Sequence, residues 1–137
     1  MNIKQSLSRL ALVAMSCAMI SCSAEQSGSH VAIVTPVDGA IVGTTFDVEM
    51  AVEGMTVHKA GDVIPDTGHH HLIIDGTYIP MGETIVSDRM HLHYGKGQTK
   101  ATLHLLPGDH TLTLQFANGH HKSYGAALSQ SIHVHVK

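Results

Sequence analysis

The sequence predicts an all-β protein: a single antiparallel β-sandwich of about seven strands, immunoglobulin-like in arrangement. Three observations lead there. Short segments alternate apolar and polar residues with a period of two, as a strand with one buried face does. Turns containing Gly, Pro or Asp separate these segments. Beyond an N-terminal leader, no stretch carries a helical period. The Cys–Trp–Cys core of antibody domains is absent, so the likeness is one of architecture.

Taken in order, residues 1–21 read as a secretory signal peptide. Lys4 and Arg9 supply the positive start, and the apolar run Leu10–Ile20 is too short for a stable membrane span. Ser21-Cys22-Ser23 resembles a bacterial lipobox, in which Cys22 is lipidated and becomes the mature N-terminus; cleavage after Ala24 is the alternative. Ser23, where Asp would retain a lipoprotein at the inner membrane, directs the expectation to the outer membrane. The expected location is therefore the periplasmic face of the outer membrane, held by an N-terminal lipid, or the soluble periplasm. Residues 22–29 form a small, polar tether, and 30–137 form the sandwich domain.

Within the domain, VAIVTPVDGAIVG reads as a strand, a turn at Pro36-Val37-Asp38-Gly39 and a short return. In TFDVEMAVEG, Phe46, Val48, Met50 and Val52 share the inner face. HLIID is a buried strand ending at Asp75-Gly76, and TKATLHLL is a strand ending at Pro107-Gly108-Asp109. HTLTLQF points Leu112, Leu114 and Phe116 inward and Thr111, Thr113 and Gln115 outward. SIHVHVK closes the domain with Ile132, Val134 and Val136 inward.

Composition removes several functions. Both cysteines, Cys17 and Cys22, belong to the leader or its end, so the domain has no thiolate, and blue-copper and iron–sulfur centres are excluded. After the leader, six Lys/Arg face eleven Asp/Glu, a net charge of −5 that gives nucleic-acid binding no support. Histidine is the outlier: all thirteen copies follow the leader. Residues i and i+2 on a strand share a face, about 6.5–7 Å apart, close enough for two imidazoles to converge on one ion. His-x-His occurs at His69/His71, His91/His93 and His133/His135; a third ligand must come from another strand or loop, with His110, His120 and His121 as candidates. Such a donor set suits copper or zinc. Met50 and Met90 read as core or as pointing away from His91, and thioether ligation is not expected. His133, His135, His104, His30 and His58 read as solvated. In GHHH, alternation sends His69 and His71 to one face and His70 to the other.

GHHHLIID, HLHYGKGQT and LLPGDHTLTLQFANGHH together resemble a bacterial envelope family catalogued as domain of unknown function 4399, over about Gly68 to His121. The resemblance points to His69, His70, His71, His91, His93, Gly95, Gly97, Gln98, Thr99, Pro107, Gly108, His110 and His121. Tyr94 stands where Phe is common, Asn118 where Asp is frequent, and no Pro follows His121. The resemblance implies no particular activity.

The resulting expectation is an envelope protein holding one copper or zinc ion for buffering, transport or sensing. His71, His91, His93 and His110 are the primary ligands, and His69 and His121 the alternates. Gln98 and Thr99 would orient the rings through their outer nitrogens. Two alternatives stand beside it. One is a non-enzymatic structural or partner-binding module whose histidines are structural. The other is a cupin-like metalloenzyme, against which Gly97 stands where the first cupin motif needs glutamate, and Pro107-Gly108-Asp109-His110 departs from the second. No nucleophile–base pairing is legible, so catalysis is not expected.

Overall fold

A computed structural model describes residues 28–137; the expected leader, its expected cleavage site and Cys22 lie outside the described residues. Nine strands follow in order: β1 His30–Thr35, β2 Ala40–Val42, β3 Thr45–Glu53, β4 Thr56–Val57, β5 Thr67–Ile74, β6 His91–His93, β7 Lys100–His104, β8 Gly108–Ala117 and β9 Ser129–Val136. One short 3-10 turn, Ala126–Leu128, precedes β9. The strands form two sheets. The smaller is β1-β3-β7; the larger runs β2-β9-β8-β5-β4, with β6 also paired to β5.

The all-β sandwich is what alternation dictates. Val31 and Ile33 of β1, Val48 and Met50 of β3 and Leu103 of β7 face Leu112, Leu114 and Phe116 of β8 and Ile132, Val134 and Val136 of β9. These are the inward positions expected from the period of two. Burying side chains of this size contributes about 1.5–3 kcal/mol each. Nine strands replace the expected seven because two short strands are added at β5: β4, which pairs parallel to it, and β6, which pairs antiparallel. The turn at Pro36–Gly39 forms, but the return strand β2 crosses to the other sheet instead of pairing with β1. Gly39 takes φ 78° there, a conformation that costs glycine little.

β5 is the most enclosed strand. β8 occupies one edge, while β4 and β6 share the other, and Gly68 through Ile74 are all buried. A Cβ at Gly68 would overlap Ala117 O and come within 2.7 Å of Phe116 Cε1, so this close approach requires glycine. The outer face of β5 and β8 is also covered. Thr113 and Gln115, expected outside, are fully buried beneath the chain from Gly76 to Ile85 and the segment from Ser123 to Leu128. Their polar atoms are satisfied: Thr113 Oγ1 donates to Gly76 O at 2.7 Å. Gln115 Nε2 donates to Gly125 O and Leu128 O at 3.0 and 3.1 Å, and its Oε1 accepts from Ile79 N at 3.1 Å. The two covering segments bond to each other through Ile85 N–His121 O and Ser123 N–Glu83 O, both 2.9 Å. This roof forms a second, smaller interior with Ile73 and Ile85, on the face of β5 that carries His69 and His71.

Candidate metal centre

Register decides which histidines meet. In β5, His70 pairs with Phe116 and Leu72 with Leu114, placing them on the sandwich face. His69 and His71, paired with Ala117 and Gln115, take the roofed face. On the opposite edge of β5, His71 lies directly across from His93, so those two imidazoles share that face. His121 reaches the same place from the turn Asn118–Lys122.

The four rings of His69, His71, His93 and His121 pack together, four of the six pairs edge to face and the pairs His69–His71 and His71–His93 tilted. Their centroids are 4.7–5.9 Å apart across every pair. His71 Nε2 lies 2.9 Å from His69 Nε2, and His121 Nε2 lies 3.1 Å from His93 Nε2. One ligand nitrogen from each of His69, His71 and His93 falls within 4.8 Å of the others, so these three can hold a metal ion. An ion with Zn–N bonds of about 2.0–2.1 Å and tetrahedral angles sets its nitrogens about 3.3–3.4 Å apart. The two close pairs come within a few tenths of an ångström of that edge.

His69 and His71 are fully buried, whereas His93 and His121 are partly open to solvent and supply an entry path. Burial, followed by the neighbouring imidazoles, pushes His69 down to about 4 and His71 down to about 2. Burial also lowers His93. His69, His71 and His93 are therefore neutral at pH 7, as metal ligation requires. The outer nitrogens, His69 Nδ1 and His71 Nδ1, have no hydrogen-bond partner among the described residues. A network that merely held the fold would anchor these rings on backbone carbonyls. Instead their Nε2 atoms point at one another.

Two local features prepare the site. A Cβ at Gly95 would overlap Nε2 and Cε1 of His93, so glycine leaves that ring its place. His121 takes φ 62°, a left-handed conformation uncommon for non-glycine residues, within a turn tied by Asn118. Asn118 Oδ1 accepts from His120 N and Lys122 N, at 2.9 and 3.1 Å.

The predicted primary ligands do not all converge. His91 pairs with Ile73, two positions beyond His71–His93, and its ring turns away to Asp88, with Nδ1 2.9 Å from Oδ1. His110 is five residues along β8 from Gln115, about 17 Å at the strand rise. It is held by Asp75 Oδ2 and Leu106 O, both at 2.9 Å. The alternates His69 and His121 occupy the places expected of His91 and His110. Gln98 and Thr99 do not contact the rings: Gln98 Oε1 accepts from Lys96 N at 2.8 Å, and Thr99 O accepts from Met50 N at 2.8 Å. His120 is exposed, and His133 and His135 project to solvent beside Asp38 and Asp109, as outward strand positions should. His70, which no metal role claims, is fully buried against Phe116 with both ring nitrogens unpartnered among the described residues.

The sequence model of the family described as Domain of unknown function (DUF4399) matches residues 48–137, a span that contains all four converging histidines. The chain belongs to this family. In this DUF4399 protein the matched span takes in β4 to β9 and most of β3. No curated protein and no solved structure matches the chain.

Proposed function

We propose that this DUF4399 protein binds one transition-metal ion, copper or zinc, through His69, His71 and His93, with His121 completing the set. One observation carries the reading: four imidazoles from three separate segments direct nitrogens at one another inside a covered space, rather than at backbone carbonyls. All-imidazole donors suit Cu and Zn, and the partly open rim at His93 and His121 suits uptake and release. The role that follows is buffering, transport or sensing of that ion in the bacterial envelope. Cys22, if lipidated, would hold the domain at the periplasmic face of the outer membrane.

The test is calorimetric titration of tag-free, metal-stripped protein with Zn²⁺ and Cu²⁺. One ion per chain with a dissociation constant of micromolar or tighter is expected, and His71→Ala and His93→Ala should each abolish it. Protein that takes up neither ion, and whose melting temperature does not respond to them, would refute the reading. The anchor is tested separately: labelled fatty acid should enter the wild type and not Cys22→Ser.

A further inference from the structure

Building on the metal-binding reading, we infer that the site favours a univalent ion, reduced copper Cu(I), over the divalent ions Cu(II) and Zn(II). The argument rests on charge. Every donor that converges is an imidazole, a ligand that brings no negative charge, and no Asp or Glu joins the group among the described residues. The site thus offers nothing to neutralise the charge an ion brings.

The surroundings do not disperse that charge either. A metal-bound imidazole ordinarily passes part of it outward, by donating its second N–H to a carboxylate or carbonyl. Here Nδ1 of His69 and of His71 have no acceptor among the described residues, and both rings are wholly buried. The cost of removing an ion from water grows with the square of its charge, so a divalent ion pays about four times what a univalent one does. The ligand set that holds Cu(I) and Cu(II) is the same, and the uncompensated interior separates them. Softness of the donors is not invoked, since the converging ligands are imidazoles and Met81 and Met90 are exposed. The preference therefore responds to a charge placed in the site, even when no sulfur is added or removed.

Position 121 allows that charge to be placed with little backbone disturbance. Its left-handed φ of 62° is one that Asp tolerates well, and Asp66 and Asp75 adopt similar values elsewhere in this chain. His121→Asp keeps a ligand at the rim and adds one negative charge.

The experiment measures three affinities on tag-free, metal-stripped protein: Cu(I) anaerobically with ascorbate against a chromogenic Cu(I) chelator, and Cu(II) and Zn(II) against their own chelators. Cu(I) is expected to bind at least 100-fold tighter than Cu(II). At 59 mV per tenfold for one electron, this raises the potential of the bound couple by about 120 mV over the free ions. In His121→Asp, with its fold checked by circular dichroism, the Cu(I)-to-Cu(II) affinity ratio should fall at least tenfold. Wild-type protein that holds Cu(II) or Zn(II) as tightly as Cu(I) would overturn the inference and leave metal binding standing. A folded His121→Asp with an unchanged ratio would overturn the charge argument even if Cu(I) is preferred. Binding of no ion would overturn this inference together with the reading beneath it.

Discussion

Acidifying the metal-free protein from pH 7.5 to 5 should destabilise it steeply, and three buried histidines set the size of the effect. Burial is the main cause holding His69 and His70 down to about 4 and His71 down to about 2, against an ordinary value of about 6.5 in the unfolded chain. Between about pH 6.5 and 4, the unfolded chain binds three protons that the folded chain does not. Groups whose folded pKa is depressed contribute stability above the unfolded pKa and lose it as pH falls. Three protons give a slope of about 4 kcal/mol per pH unit, or about 6 kcal/mol lost by pH 5. That is comparable to the whole stability of a small domain, about 5–15 kcal/mol. The assay is urea unfolding at a series of pH values in the presence of a chelator. His70→Phe should remove about one third of the slope, because it deletes one of the three protons at a position already packed on Phe116. Stability that changes by less than about 1 kcal/mol between pH 7 and 5 would refute the reasoning.

Three further outcomes are expected. Gly95→Ala, whose new methyl would displace the His93 ring, should weaken metal binding at least tenfold while far-ultraviolet circular dichroism stays that of the wild type; unchanged affinity would mean His93 is not a ligand. Gln115→Leu strands Ile79 N and removes a donor from two buried carbonyls, and should cost about 2–4 kcal/mol in denaturant unfolding. The Asp75 carboxylate, followed by the Leu106 carbonyl, raises His110 above its ordinary value, so its stabilising contribution is full below about pH 6.5 and disappears as pH rises through the folded pKa. Asp75→Asn should bring the His110 imidazole titration, followed by NMR, back toward the ordinary histidine value; a titration that does not move would show that the ion pair is not its cause.

Alternation alone placed Val48, Met50, Leu112, Leu114, Phe116, Ile132, Val134 and Val136 inward and divided His70 from His69 and His71. These are local properties of a strand, and a period of two is sufficient to reveal them. The roof was not legible. Polar residues such as Thr113 and Gln115 mark which face of a strand is not the main core, but not whether water or another segment covers it. The segment from Gly76 to Met90 forms almost no regular structure and carries no period to read. Which histidines converge was not legible for a related reason. His91 and His93 are equivalent by spacing, and only the β5–β6 register separates the one opposite His71 from the one opposite Ile73. His110 shares a strand with Gln115 but faces a different partner, Asp75, at the far end.

The converging histidines span positions 69 to 121, and the last of them sits on a turn whose neighbours bond to the covering segment. An extended chain holds at most the local pair His69 and His71; the other donors arrive only when β6 has docked on β5 and the turn at Asn118–Lys122 has closed. The site is thus a product of finished folding, not of the sequence passing by. An unfolded chain would offer an ion only that local pair. The four-imidazole set exists only once the last turn settles.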